Sequence, residues 1–184
     1  MFIIEIDNEI ALKPLDIKDA GFLFELTDSS RDVLRQWLPW VDGTKTIEDS
    51  KTFIRLAEKS LIEKRGLTTG IFYENNLAGV IGFNNFDWSN EIGYIGYWLG
   101  TDFQGKGIMT RAVNGLIDYA FHSLGLNRIE IRAAYGNRRS RAIPERLGFQ
   151  IEGQIRQAEW LYDHYVDHVV YGMLASEWKF RRDI

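Results

Sequence analysis

The segment Gln104-Gly105-Lys106-Gly107-Ile108-Met109-Thr110 constrains this chain more than any other stretch. It follows Glu91–Leu99, whose Ile, Tyr and Trp content predicts a β-strand, and it opens a run from Ile108 to Leu124 with helical spacing. Glycines at such a junction let the backbone turn tightly and come close to a ligand. The first turn of the helix leaves N–H groups unpaired, with a partial positive charge of about half a unit. Together these make a cradle for a phosphate. The competing reading is a connector whose glycines serve only the turn.

Charge favours the anion. The 184 residues carry a net charge of −4. Between Gln104 and Gly148 eight basic residues (Lys106, Arg111, Arg128, Arg132, Arg138, Arg139, Arg141, Arg146) meet three acids (Asp118, Glu130, Glu145). That segment therefore carries +5 and the rest of the chain −9. A P-loop is excluded because Gly107, not Ser or Thr, follows Gly105-Lys106. A dinucleotide fingerprint needs a glycine where Thr110 stands. Glu130, twenty residues on, suits that fingerprint, but no βαβ unit opens the chain, which argues against a nicotinamide dinucleotide enzyme.

The hydrophobic period changes along the chain. A strand is expected at Ile10–Leu15, then a helical run opening at Asp16-Ile17-Lys18-Asp19 with apolar Ala20, Phe22, Leu23 and Leu26. Asp28-Ser29-Ser30 caps a second helical run through Leu34, Trp37 and Leu38, which Pro39 ends. Thr46-x-x-Asp49 opens a longer helix with Ile47, Phe53, Ile54, Leu56, Ala57 and Leu61 on one side. Leu67–Tyr73 and Leu77–Asp87 read as strands joined by a polar turn. After the helix that Gly125 stops come a strand at Arg128–Ala134 and a helix at Arg138–Leu147. Strands at Glu152–Trp160 and Tyr165–Leu174 and a short C-terminal helix follow. The expectation is α/β (α+β): one domain over residues 1–184, a mixed twisted sheet of six to seven strands flanked by helices.

Composition closes off other classes. The longest stretch without a charged residue is 12 residues, Asn75–Phe86, too short to span a membrane. The opening MFIIEIDNEI lacks the basic flank of a secretory signal, so a cytoplasmic protein is expected. No cysteine is present, which excludes disulfides, thiolate metal sites and an acyl-cysteine intermediate. An isoelectric point of about 5.4 and no reader motif argue against nucleic acid. His164 and His168 fall on one predicted strand without a clear third ligand, so no metal is expected.

The succession of strand, QGKGIMT, long helix, strand, Asn137-x-x-Ser140 and a helix ending Leu147-Gly148-Phe149 resembles the GCN5-related N-acetyltransferase (GNAT) superfamily. Its pyrophosphate motif, Gln/Arg-x-x-Gly-x-Gly/Ala, is met at Gln104 and Gly107, while Met109 occupies the last small position. A backbone cradle tolerates Met109 if its side chain points away. Trp37-Leu38-Pro39-Trp40, Glu91-Ile92-Gly93-Tyr94, and Gln157-Ala158-Glu159-Trp160-Leu161 with Asp167 and Tyr171 are similar to the Rim-type ribosomal-protein N-terminal acetyltransferases. The resemblance implies acetyl-CoA as donor, a primary amine as acceptor, and a parallel strand pair that splays to admit the pantetheine.

On that resemblance Tyr97, Trp98 and Leu99 offer backbone groups to the pantetheine and the thioester oxygen. Gly105, Lys106, Gly107, Ile108, Met109 and Thr110 hold the pyrophosphate beside Gln104. Asn137 and Arg139 lie near the pantetheine or the 3′-phosphate. Many members protonate the departing thiolate with a Tyr in the last helix; Pro144 stands there in this chain, and the Rim-type branch uses a Ser that matches Ser140. Its base, a Glu in Gln-Ala-Glu, matches Glu159. Each has a plainer alternative: Ser140 as a helix cap, Glu159 as a solvated edge carboxylate. Pro144 also removes the N–H that the Ser140 carbonyl would accept. Trp37 and Trp40 are candidates for the acceptor wall, or for core packing. The acceptor is expected to be a protein N-terminal amine, with a polyamine or other small amine, or a non-enzymatic acyl-CoA sensor, left open. A homo-oligomer is compatible with the sequence.

Overall fold

The computed structural model describes residues 3–178. Among these residues the sheet has eight strands in the order β1-β2-β3-β4-β5-β6-β8-β7. They are β1 (Ile4–Glu5), β2 (Ile10–Lys13), β3 (Leu67–Tyr73), β4 (Asn76–Asp87), β5 (Ile92–Leu99), β6 (Arg128–Ala134), β7 (Gln150–Leu161) and β8 (His164–Leu174). The helices are α1 (Ala20–Ser29), α2 (Arg31–Leu34), α3 (Ile47–Ile62), α4 (Ile108–His122) and α5 (Arg138–Leu147). The strand beyond the expected six to seven is β1, two residues paired with β2 at Ile4↔Leu12 and Glu5↔Ala11. So short a strand leaves no period to read.

Of the eight strands only β5 and β6 run parallel, joined by the α4 crossover. Every other neighbouring pair among them is antiparallel. Alternation along the strands divides the core. On one face Ile81, Ile95, Ile129, Ile131, Val169 and Tyr171 pack with Ala112, Val113, Leu116 and Ile117 of α4 and with Ile143 and Leu147 of α5. On the other, Val80 packs with Ala20 and Leu23 of α1 and Ile54 of α3, flanked by Trp98. We call these the α4 face and the α1 face.

The Thr46/Asp49 start of α3 forms as expected: the Asp49 carboxylate accepts the Lys45 and Thr46 N–H groups at 2.9 and 2.8 Å. Those backbone donors, Lys45 first, hold its carboxyl below the ordinary range. Three expectations are corrected. The second helical run ends at Leu34, short of Leu38. Phe53 and Leu56 are exposed; at about 100° per residue they turn well away from Ile54, and the contact stripe of α3 is narrower than the apolar pattern. Residues 175–177 form a turn, not a helix, and the Lys179-Phe180-Arg181-Arg182 tail lies outside the described residues.

Candidate active site

The site begins where the parallel pair separates. β5 and β6 are in register from Ile92↔Arg128 to Ile95↔Ile131 and no further. Beyond that point β5 stays with β4 as far as Leu99, and β6 stays with β8 as far as Ala134. A gap opens between them, lined by strand backbone. The Gly100 N–H donates to the Ala78 carbonyl at 2.9 Å. Alternation then turns the Trp98 peptide groups towards β4, and those of Tyr97 and Leu99 into the gap. Of the three residues expected to offer backbone there, Tyr97 and Leu99 do, while Trp98 is committed to the sheet.

The loop after β5 makes a short 3-10 turn at Thr101–Phe103 and reaches Gly105 and Gly107, at φ of +77° and +72°. Neither would meet a neighbour within 4 Å if given a Cβ, so the need for glycine is conformational. The first bond of α4 runs from the Arg111 N–H to the Gly107 carbonyl at 3.1 Å. The N–H groups of Ile108, Met109 and Thr110 precede it and are available to an anion. Ile108 and Met109 send their side chains into the core. Thr110 is buried, and its hydroxyl accepts a 2.7 Å bond from Arg146. Gln104 bridges two elements, donating to the Leu99 carbonyl at 3.3 Å and accepting from Arg139 at 3.0 Å.

The basic surplus is partly consumed. Arg111 pairs with Asp7 and Glu9, Arg128 with Glu130 and Glu152, Arg132 with Glu130, and Arg141 with Glu145. Among the described residues Lys106, Arg138 and Arg139 have no carboxylate partner. Lys106 lies 5.7 Å from the Phe103 ring centroid. Of these, Lys106 belongs to the glycine loop and Arg139 reaches Gln104 beside it.

Across the gap α5 starts at Asn137, whose Oδ1 accepts the Ser140 N–H at 3.1 Å. The helix cap is therefore Asn137, and the capping role considered for Ser140 is already filled. Pro144 sits inside the helix, and the Ser140 carbonyl accepts instead from the Tyr97 hydroxyl, at 3.0 Å. The Ser140 hydroxyl lies 3.5 Å from the same phenol oxygen. Burial pushes the Tyr97 phenol well up, so it remains a neutral donor.

Glu159 lies on the opposite face of the sheet, on β7. Tyr171 on β8 points to the α4 face, accepting from Arg141 at 2.8 Å and donating to Glu145 at 2.7 Å. His168, an odd number of residues away, points to the α1 face. Between the pairs Ile155↔His168 and Glu159↔Val166 the β7–β8 register shifts by two residues. The bulge holds Gln157 at φ +49°. Asp167 staples it, accepting the Gln157 N–H at 2.8 Å and the Gln154 amide at 2.6 Å, and these bonds lower its carboxyl, the Gln157 N–H most. Glu159 thereby comes within 3.2 Å of His168 Nε2, with 31% of its side chain exposed. Among the described residues no group of three or more His, Cys, Asp or Glu is placed to hold a metal.

Residues 35–44 lie against this region. Arg31 donates to the carbonyls of Val41 and Thr44, Arg35 forms a double bond pair with Asp42, and the Tyr162 hydroxyl donates to the Leu38 carbonyl at 2.6 Å. Trp37 is set so that a Cβ on Gly136 would lie 3.3 Å from its ring, beside the start of α5. Trp40 tilts against Trp98 with centroids 5.7 Å apart and stays 37% exposed. Both tryptophans border the end of the gap.

The family model for the acetyltransferase (GNAT) domain matches residues 9–150. The chain belongs to the GNAT family. YdaF of Bacillus subtilis (strain 168) is 37% identical to it over 180 residues, covering 97% of this chain and 98% of the relative. The ribosomal-protein-serine acetyltransferase of Escherichia coli (strain K12) is 33% identical over 175 residues, covering 94% and 97%. Among solved structures, RimL, the ribosomal L7/L12 α-N-protein acetyltransferase in complex with coenzyme A, superimposes with a TM-score of 0.91 at 28% identity over 94% of this chain and 98% of its own. The microcin C7 self-immunity acetyltransferase MccE, solved with acetyl-CoA and AMP, gives 0.89 at 34% identity over 92% and 94%. The GNAT chain is an acetyl-CoA-dependent N-acetyltransferase, and its residues fit the cofactor: two left-handed glycines, three open N–H groups, a buried Met109, and Lys106 and Arg139 nearby.

Sequence reasoning missed four features of this GNAT site: the Tyr97 hydroxyl, the Arg146–Thr110 bond, the Asp167 staple and the Glu159–His168 pair. Pro144 was the one signal that pointed to the first, because it announces a carbonyl in need of a donor. The others depend on a bulge or on helix orientation, which leave no mark in a linear pattern.

Proposed function

We propose that this GNAT enzyme acetylates the N-terminal amine of a protein, with a ribosomal protein as the acceptor class. The observation that carries the reading is the opposition of Glu159 and Ser140: one pairs with His168 on the α1 face, the other is tied to Tyr97 on the α4 face. The ribosomal-protein acetyltransferases among its relatives support the acceptor class.

Lys106, Arg138 and Arg139 with the N–H groups of Ile108 to Thr110 hold the phosphates, and the gap-facing backbone of Tyr97 and Leu99 takes the pantetheine. A backbone N–H aimed at the thioester oxygen stabilises the negative charge that develops there. The neutral amine nitrogen bonds to the acetyl carbon and the carbon–sulfur bond breaks. Glu159 takes the proton that the nitrogen loses, and the Ser140 hydroxyl donates a hydrogen bond to the departing thiolate. Trp37 and Trp40 wall the acceptor end, where exposed aromatic faces attract an ammonium. The reading places the enzyme in the cytoplasm, where acetyl-CoA and ribosomal proteins are found together.

An acceptor panel tests it: peptides with free N-terminal Ser or Ala, spermidine and simple amines, each scored by CoA release. Turnover of the peptides with loss on N-terminal blocking is expected. Strong turnover of spermidine with none on peptides would replace the protein acceptor by a small amine, and acetyl-CoA binding without turnover of any amine would favour a sensor.

A further inference from the structure

We infer that Tyr97 is the positioning residue for Ser140, supplying by its hydroxyl the hydrogen bond that Pro144 withholds from the helix. The inference rests on the reading of Ser140 as donor to the thiolate and assigns what aims it.

In an α-helix the carbonyl of one residue accepts the N–H four positions on. For Ser140 that position is Pro144, which has no N–H. A peptide plane with an unmet carbonyl is free to tilt towards whatever donor is near, and its side chain swings with it. Here the donor comes from the sheet: the Tyr97 hydroxyl at 3.0 Å from the Ser140 oxygen. The Asn137 side chain takes the Ser140 N–H at 3.1 Å. Both backbone groups of Ser140 are thus held by side chains of other residues, one from the helix cap and one from β5.

The choice of strand matters as much as the bond. Tyr97 is also a residue whose own peptide groups face the gap. One residue therefore ties the helix carrying the thiolate donor to the strand that meets the thioester, and distance errors between the two are suppressed. The phenol's proton is engaged with the carbonyl, and its oxygen accepts the Ser140 hydroxyl only at 3.5 Å, a long bond that the Ser140 proton exchanges for one to the sulfur.

The test uses Tyr97→Phe, Ser140→Ala and the doubles Y97F/S140A and Y97F/P144A in the full chain, with the fastest amine of the acceptor panel. Y97F is expected to lower kcat about tenfold, the loss typical of one buried hydrogen bond, with the KM for acetyl-CoA within about twofold. Y97F/S140A is expected to be no slower than S140A, because Tyr97 acts through Ser140. In Y97F/P144A the backbone N–H restored at position 144 meets the Ser140 carbonyl, and most of kcat returns. Calorimetry with acetyl-CoA and thermal melting establish that each variant is folded. A normal kcat in Y97F beside a crippled S140A would overturn the positioning role alone. No recovery in a folded Y97F/P144A would overturn it too, and this double remains decisive where Y97F itself folds poorly. A normal kcat in S140A would instead overturn the reading on which the inference rests.

Discussion

The two sides of the gap are built in different materials. The cofactor side, from β5 through the glycine loop into α4, presents mainly backbone: left-handed glycines, unpaired helix N–H groups and strand peptides. The side proposed for the acceptor, from residues 35–44 to the β7–β8 hairpin, presents side chains held by other side chains: Glu159 against His168, Asp167 stapling the bulge, Arg35 clamping Asp42. A backbone site depends on where the chain bends, and glycines reveal bends. A side-chain site depends on register, and one bulge resets register for everything beyond it.

The sharpest way to break this contrast is to remove chemistry from the acceptor side while leaving the cofactor side intact. Glu159→Gln is expected to lower kcat by roughly 100-fold or more, within the range of a lost general base. Calorimetry should find acetyl-CoA affinity unchanged. An unaltered kcat would remove Glu159 from the mechanism.

The reverse experiment burdens only the cofactor side. Gly107→Ala adds a Cβ that meets no neighbour, so its effect is the cost of the left-handed conformation, ~1–2 kcal/mol. Acetyl-CoA should bind about tenfold more weakly, since each 1.4 kcal/mol is tenfold. The KM for the amine should hardly move.

Asp167→Ala separates holding from reacting. Loss of the staple frees the Gln157 bulge, and a several-fold fall in kcat is expected with the acetyl-CoA KM preserved. The Asp167 carboxyl is lowered in the folded protein, chiefly by the Gln157 N–H. Its stabilisation is therefore present above the ordinary aspartate range and is lost as pH falls through the folded value. The melting temperatures of wild type and D167A should differ at neutral pH and converge in acid; a constant difference would deny the carboxylate that role.

The smallest effect is expected at the rim. Trp40→Ala removes an exposed ring that leans on Trp98, and should raise the amine KM about two- to threefold without touching acetyl-CoA affinity. An equal loss for both substrates would mean that Trp40 packs the fold and does not wall the acceptor.

How much of this was legible follows the same division. The order of most elements and the glycine turn that leads into α4 could be read from punctuation and period, because glycine, proline and helix caps act on their immediate neighbours. The narrow contact stripe of α3 could not, since apolar period does not say how much of a helix another layer covers. Nor could the fate of the basic segment: Arg111 meets Asp7 and Glu9 from a hundred residues away.

By itself the sequence determined an α/β chain with a glycine-rich turn into a helix, no cysteine to carry an acyl group, and a Ser140 carbonyl robbed of its donor by Pro144. Only the tertiary structure decided that Tyr97 supplies that donor, that Asn137 and not Ser140 caps α5, and that Glu159 pairs with His168 on the face of the sheet opposite Ser140. The reason is physical. Local conformational preferences are written residue by residue, whereas hydrogen bonds between strands and helices depend on register and on which face each residue turns, and these are settled when the layers pack.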